Sequence, residues 1–464
     1  MIDLSLFKGQ YFAIFGLGKS SLATATALER AGAKVALWDD EEKSRHQAAK
    51  DGHNILDLTI ADFGRFDGLI LSPGVPLTHP KPHWVVDKAK QANLPIMGDI
   101  ELFLRAVKHA GVGKIVAVTG TNGKSTTVSL IHHILSEAGL DAHLGGNIGS
   151  TMALDLPTTS ATKIYILELS SYQIDLMPSL QKPGLAPDIA VLVNVSADHL
   201  DRHGDLKHYA QVKAQIFEPQ TAEDLAIIGI DDEFGAKFAD IYNAVSISAV
   251  QQNADIFCKN GQILQNGQPI LEFGQAVNLQ GVHNAQNTAI AYEIAKYFGV
   301  EDEVIKQGLH SFKGLEHRME YVGKIASRAG DILFINDSKA TNAEAVKPAL
   351  GAYENVYWLA GGQGKQGGLQ PLYESLKHIK KAYVFGQSAP DFADELTNIT
   401  ACEVFLNMGE AINKALTDIM HTGDDGLKVI LLSPAAASFD QFDNFEKRGQ
   451  MFKQMAKDLG AKLS

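Results

Sequence analysis

Residues 115–127 read I-V-A-V-T-G-T-N-G-K-S-T-T. Ile115–Val118 is a short apolar, β-branched run, which predicts a buried strand. Gly120, Thr121, Asn122 and Gly123 predict a tight loop. Lys124, Ser125 and Thr126 open a helix whose apolar face is Val128, Ile131, Leu135 and Ala138, closed by Gly139. Strand, glycine loop, Lys-Ser and helix together predict a phosphate cradle. Glycines let backbone N–H groups approach the phosphates, and the helix N-terminus adds positive potential. Lys124 is expected to reach the β- and γ-phosphates and the Ser125 hydroxyl a Mg²⁺ ion. The spacing departs from the general P-loop pattern, because Val118 stands where its first glycine belongs. A bare glycine turn before a helix is the plainer alternative. The order strand, Gly-Lys-Ser-Thr, helix is what the cradle mechanism requires.

Upstream, the apolar strand Phe12–Phe15 is followed by Gly16-Leu17-Gly18-Lys19-Ser20-Ser21, a partial dinucleotide fingerprint with serine at the third glycine position. A helix to Ala31 and a strand Val35–Trp38 lead to Asp39 and Asp40, where a ribose hydroxyl is usually held. Gly68–Leu71 leads into Ser72-Pro73-Gly74, and Leu94–Met97 into Gly98. This predicts an α/β nucleotide-binding domain over 1–98. The incomplete fingerprint favours a nucleotide other than NAD.

Downstream, Asn147 lies in G-G-N-I-G. Strand Ile164–Leu167 delivers Glu168, and strand Ile189–Val193 delivers Asn194 to Asp198, His199 and Arg202. Ligands of open parallel sheets sit beyond the carboxyl ends of strands, so Glu168, Asp198 and His199 are expected to converge on the phosphate loop. A carboxylate there suits Mg²⁺, and His199 a second metal position or a phosphate; a capping or packed histidine is the alternative. The helix His208–Phe217 carries Tyr209, Val212 and Ile216 on one face, flanked by Lys213, whose bland reading is a snorkelling surface lysine. Asn260-Gly261 and Asn266-Gly267 predict hairpin turns. Asn284 and Asn287 share a helix face, where amides can read an adenine edge; N-capping explains Asn284 equally well.

A boundary near Phe312–Gly314 closes a central domain over 99–313 and opens a third over 314–464. His317-Arg318 follows. Strand Ile332–Ile335 ends in Asp337, Lys339 and Thr341, Val356–Leu359 leads to Gly361 and Lys365, and Val429–Leu432 leads to Ser438 and Phe439. The third unit also reads as a parallel α/β sheet with its loops gathered at one edge.

At 464 residues the chain predicts about two to four domains. Its net charge of −13 argues against a nucleic-acid partner. Cys258 and Cys402 form no C-x-x-C pair, a reduced, intracellular inventory. Met1–Gln10 lacks a signal-peptide core, and no apolar run approaches ~18 residues, so no membrane insertion is expected.

The motifs T-G-T-N-G-K-S-T, G-G-N-I-G, E-L-S-S-Y-Q, D-H-L-D-R-H, H-N-x-x-N, H-R-M-E, N-D-S-K-A-T-N and L-S-P-A-A-A-S-F-D-Q-F resemble the Mur ligases of peptidoglycan synthesis, in order over nearly the whole chain. The last two are most similar to members that join D-glutamate to UDP-N-acetylmuramoyl-L-alanine. Two departures stand out: Ser21 replaces a glycine, and Gln363 precedes Gly364-Lys365 where some members carry an acidic residue.

The resemblance implies three α/β domains: a Rossmann-like N-terminal domain for the uridine nucleotide, a central P-loop ATPase-like parallel-sheet domain, and a C-terminal Rossmann-like domain for the amino acid. It implies a cytoplasmic, monomeric ligase that uses ATP and two Mg²⁺ ions and passes through an acyl phosphate. Ser125 and Glu168 are then expected at one Mg²⁺, and His199 with Lys213, as a CO₂-derived carbamate, at the other. Asn284, Asn287, Arg318 and Asp337 are expected at adenine, ribose or phosphate. Asn147 and His199 fall near the transferred group. Lys339, Thr341, Lys365, Ser438 and Phe439 fall around D-glutamate, and Lys19, Ser20, Asp39, Asp40 and Gly74 at the uridine diphosphate. Rival readings are another amide ligase of the superfamily (a folylpolyglutamate synthase or a different Mur step), a non-catalytic nucleotide sensor, and a dehydrogenase.

Overall fold

The computed structural model describes all residues except 149–151, 183, 275, 280, 328–329, 365–367, 423–424 and 463–464. The described residues build three sheets in two compact units. The first unit is Met1–Ala276 with Val282–Ser311, the second Val277–Gly281 with Phe312–Ser464.

The first sheet contains β1 (Tyr11–Phe15), β2 (Lys34–Trp38), β3 (Gly68–Leu71) and β4 (Ile96–Met97), in the order β2-β1-β3-β4, all parallel. β4 is shorter than the sequence suggests. Leu94 spends its N–H on the helix-terminal Ala89 carbonyl (2.8 Å), and Pro95 has no N–H to give.

The second sheet contains β5 (Lys114–Thr119), β6 (Asp141–Gly146), β7 (Lys163–Glu168), β8 (Ile189–Leu192), β9 (Leu225–Gly229), β10 (Val245–Ser248), β11 (Ile256–Lys259), β12 (Gln262–Gln265) and β13 (Gln268–Glu272). Their order is β13-β12-β11-β10-β9-β8-β5-β7-β6. Only the pairings of β12 with β11 and β13 are antiparallel. The turns that make them so are the expected ones: Asn260 and Gly261 have φ of 51° and 76°, Asn266 and Gly267 of 49° and 77°. β5 lies between β7 and β8, so the ends of those strands flank the glycine loop. These three strands are close to continuous apolar runs, as burial on both faces demands. One apolar core joins the two sheets: Phe12, Ile14 and Ile70 of the first sheet lie in one cluster with Ile115 and Leu167 of the second and with Phe103 of the helix Asp99–Ala110.

The second unit holds β14 (Glu320–Ile325), β15 (Ile332–Asn336), β16 (Val356–Gly361), β17 (Ile379–Phe385), β18 (Cys402–Phe405) and β19 (Lys428–Leu432). The order is β14-β15-β19-β16-β17-β18, with β14 antiparallel to β15 and the rest parallel. Apolar clusters pack on both faces, with Trp358 and Leu431 on one and Phe334 and Phe452 on the other.

Candidate active site

β5 runs through Val118, which pairs with Glu168 on one side and Val191 on the other. The turn therefore starts only at Gly120, with φ of 152°, and this is why valine can replace the usual first glycine. The loop is pinned from β8: Thr121 N donates to Asn194 O (2.8 Å), and Asn122 N to Asn194 Oδ1 (2.9 Å). Gly123 caps the helix Lys124–Glu137 in the left-handed conformation. Lys124 folds back over the loop, donating to the carbonyls of Gly120 and Thr121 (2.8 Å each). Ser125 is buried in the first helical turn and Thr126 is half-buried. The loop thus has the composition, helix dipole and lysine of an anion cradle.

Glu168 ends β7 and is 3% exposed. Asn147 holds it twice: Asn147 N donates to the Glu168 carbonyl (2.8 Å) and Asn147 Nδ2 to Oε1 (3.1 Å). Gly146 permits this approach, since a Cβ there would lie 2.3 Å from the Glu168 carbonyl oxygen. Glu168 Oε2 is buried and has no hydrogen-bond partner. An unsatisfied buried carboxylate oxygen beside a phosphate cradle fits a divalent cation. Among the described residues no group of three His, Cys, Asp or Glu side chains could hold a metal unaided. A Mg²⁺ at Glu168 and Ser125 would complete its oxygen shell from phosphate and water.

Lys213 lies on the helix Leu206–Ala214, which Asp205 caps by accepting from His208 N (2.7 Å). It is 1% exposed, which removes the snorkelling alternative. Its Nζ donates to the Gly120 carbonyl (2.8 Å) and sits 4.5 Å from the Tyr209 ring centroid. Lys124 donates to that same carbonyl. Burial, and then the Lys124 charge, push the Lys213 amine well below the usual lysine range; Asp198 and Glu168 oppose the shift.

His199 follows β8 in a left-handed conformation (φ 52°) with its side chain half exposed. Its ring lies 3.4 Å from Asp198 Oδ2 and 4.9 Å, centroid to centroid, from Tyr172. Asn287 is buried against the loop, where it accepts from Thr127 Oγ1 (3.1 Å) and donates to Asn284 Oδ1 (3.2 Å). The helix starts at Val282, so Asn284 lies in its first turn rather than at the cap.

In the first sheet, Lys19 is exposed and Ser20 half-buried at the start of the helix Lys19–Arg30. Asp39 closes the glycine loop by accepting from Leu17 N (2.7 Å). Asp40 meets His83 Nε2 (3.0 Å) and Trp84 Nε1 (3.2 Å). Gly74 is exposed, and its carbonyl accepts from Arg202 (2.7 Å).

In the second unit the three expected loops are sewn together. Ala435 N donates to Ala340 O (3.0 Å), Gly361 N to Pro434 O (2.9 Å), and Gln363 N to Ala437 O (2.8 Å). Gly362 allows the last contact, because a Cβ there would meet Ala437 O at 2.1 Å. Lys339 Nζ lies 5.8 Å from the Phe445 ring centroid, Thr341 is half-buried, Ser438 is buried and Phe439 is exposed. Lys365 lies outside the described residues. Arg318 is half-buried. Asp337 accepts from Ser433 Oγ (2.6 Å) and Met319 N (3.2 Å), and burial pushes its carboxyl up to about 7.

Sequence reasoning assigned no role to Asn194, Tyr172, His203 or Arg448. Arg448 is fully buried and clamps Ser338 (Nε to Oγ 3.0 Å, Nη2 to the carbonyl 2.9 Å). Burial pulls its guanidinium down to about 10. In the sequence it is one more polar position on a terminal helix, with no signal of its own. Asn194 carried one, as the first polar residue after an apolar strand.

The loop, its lysine and the cation-ready carboxylate define a P-loop nucleotide-binding α/β protein. Residues 118–295 match the Mur ligase middle domain, and residues 317–436 the Mur ligase, glutamate ligase domain. The chain belongs to the Mur ligase family, whose members are ATP-dependent ligases. It is similar to the UDP-N-acetylmuramoylalanine--D-glutamate ligase of Caulobacter sp. (strain K31), 44% identical over 474 residues, covering 99% of this chain and 98% of that protein. The protein of that name from Rhizobium meliloti (strain 1021) is also 44% identical, covering 97% of each. The fold is shared with Thermotoga maritima UDP-N-acetylmuramate-alanine ligase MurC (TM-score 0.57, 16% identical, covering 97% of this chain and 100% of that one). It is shared too with Thermotoga maritima MurF ligase in complex with ADP (TM-score 0.57, 18% identical, covering 99% and 100%).

Proposed function

We propose that this chain joins D-glutamate to UDP-N-acetylmuramoyl-L-alanine in peptidoglycan precursor synthesis, cleaving ATP to ADP and phosphate. The names of its relatives support the substrates. The observation that carries the chemistry is the meeting of Lys124 and Lys213 at the Gly120 carbonyl beside the unsatisfied Glu168 oxygen.

A carboxylate is a poor electrophile and needs a leaving group. Its oxygen attacks the γ-phosphorus and ADP leaves. The D-glutamate amine then attacks the acyl carbon, loses a proton and expels phosphate. Both partners of the first step are anions, so the site must offset their repulsion. Lys124 and the loop N–H groups hold the triphosphate, and Asn147 keeps Glu168 aimed. Ser125 and Glu168 would hold one Mg²⁺ and His199 with Lys213 a second, and such ions would supply positive charge to offset the repulsion between the two anions.

Lys213 acts as a carbamate. Burial and the neighbouring Lys124 charge lower the pKa of the Lys213 amine and so favour its neutral form, and a neutral amine adds to CO₂ and releases a proton to water. The product is an anion with two hard oxygens. The chain works as three functional domains, 1–98, 99–313 and 314–464, as a monomer in the cytoplasm. The first takes the uridine diphosphate at Lys19, Ser20, Asp39, Asp40 and Gly74. Asn284, Asn287, Arg318 and Asp337 serve ATP, and Lys339, Thr341, Lys365, Ser438 and Phe439 serve D-glutamate.

Phosphate release with UDP-N-acetylmuramoyl-L-alanine and either D- or L-glutamate tests the reaction, with turnover expected only for the D-isomer. Equal turnover with L-glutamate, or none with either, would overturn it. Lys213→Ala is expected to be inactive and partly restored by acetate. Near-wild-type activity of that variant after CO₂ removal, without added carboxylate, would exclude the carbamate.

A further inference from the structure

Arg202 lies on the one-turn helix Leu200–His203, just after His199. Its guanidinium reaches the loop that follows β3 in the first sheet, 128 residues away in sequence. Nη1 donates to Gly74 O (2.7 Å), and Nη2 to Val75 O (3.0 Å) and Pro73 O (3.3 Å). Three successive carbonyls on one planar fork is geometry that a lysine ammonium cannot reproduce. The same two segments approach closely a second time, since a Cβ added to Gly204 would lie 2.8 Å from His79 Nε2.

The guanidinium carbon Cζ lies over the Tyr172 ring, 4.7 Å from its centroid. Tyr172 belongs to the short helix Ser171–Ile174 that follows Glu168. Its ring is 4.9 Å from the His199 ring and stacks on His203 at 5.6 Å. His203 is anchored through Nε2 to Ser171 Oγ (2.9 Å), and burial pulls its imidazole down to about 4, so it stays a neutral packing partner. A continuous set of contacts therefore runs from the Pro73–Val75 loop through Arg202 and Tyr172 to His199.

We infer that Arg202 is a positioning residue that ties the nucleotide-sugar loop of the first sheet to His199, so that seating of the acceptor nucleotide-sugar and placement of His199 depend on the same guanidinium. This rests on the assignment of Gly74 to the nucleotide-sugar site. Arg202 need not touch substrate; it sets the position of two segments that do.

The test uses the full-length enzyme with ATP, D-glutamate and UDP-N-acetylmuramoyl-L-alanine. Arg202→Ala and Arg202→Lys are each expected to raise KM for the nucleotide-sugar by about tenfold, the scale of lost charge-assisted hydrogen bonds, while ADP affinity by calorimetry stays at the wild-type value. Tyr172→Leu keeps the three carbonyl bonds and breaks only the relay. It is expected to lower kcat with KM for the nucleotide-sugar unchanged, and Tyr172→Phe, which keeps the aromatic face, to restore kcat. An unchanged KM in the arginine variants, or an equal loss of ADP affinity, would overturn the inference. If the arginine variants fail to fold, the tyrosine pair decides: wild-type kcat in Tyr172→Leu overturns the relay. A wild-type enzyme inactive on this acceptor would instead sink the proposed function, which separates the two failures.

Discussion

After β1 the chain runs Gly16-Leu17-Gly18-Lys19-Ser20, and after β5 it runs Gly120-Thr121-Asn122-Gly123-Lys124-Ser125. Each is a strand, a glycine turn and a helix opening on Lys-Ser, and both lie in the first unit. Their neighbours make them different. In the first, a carboxylate pins the turn, Asp39 accepting from Leu17 N, and Lys19 stands in solvent. In the second, a neutral amide pins it, Asn194 accepting from Asn122 N, and Lys124 lies over the loop. A carboxylate beside loop N–H groups offers an acceptor to hydroxyls and weakens, without abolishing, the positive field that a diphosphate meets. A neutral pin leaves the field of the N–H groups and helix terminus positive. Glycine spacing thus announces a turn, and the residue that braces it from the neighbouring strand sets how positive a field it offers.

The sharpest way to break this comparison is to remove the two lysines. Lys124→Ala is expected to lower kcat by roughly 10²–10³-fold or more, the scale of a lost transition-state charge contact. Lys19→Ala, exposed, is expected to change KM for the nucleotide-sugar by no more than about fivefold. Steady-state kinetics on variants with matched thermal unfolding would check both, and comparable turnover in Lys124→Ala would remove the assignment.

Exchanging the pins sharpens it. Asn194→Asp keeps the acceptor and adds a negative charge under the phosphate loop. ADP affinity measured by calorimetry is expected to fall by about tenfold. Asp39→Asn should leave ADP binding untouched and weaken only the nucleotide-sugar. Equal ADP affinity in Asn194→Asp and wild type would show that charge is not what separates the loops.

A strand-end carboxylate of the second unit extends the contrast with the smallest effect. Asp337, after β15, is buried with its carboxyl pushed up to about 7 by desolvation, against an ordinary value of 3.8. A raised carboxyl pKa means that the folded state holds the proton more tightly. Its contribution is full below about pH 4 and is lost as pH rises through about 7. Relative to Asp337→Asn, wild-type melting temperature is therefore expected to drop by a few degrees across that window, without nucleotide. Parallel melting curves against pH would contradict the shift.

Much of this was legible locally. The strand before the phosphate loop, the helix after it, the positive-φ Asn-Gly hairpins and Glu168 at a strand end all follow from periodicity and turn chemistry, because backbone preference and the buried face are set within a few residues. The family was legible for the same reason, since its motifs are short and lie at strand ends. What tertiary structure decided is which strand ends meet. The order β8-β5-β7 puts Asn194 on one side of the loop and Glu168 on the other, and nothing in either strand encodes its neighbour. The burial of Lys213, the core that joins the first two sheets, and the reach of Arg202 to Gly74 belong there too. Each depends on contacts between residues far apart in the chain, formed only once several apolar faces have been buried together.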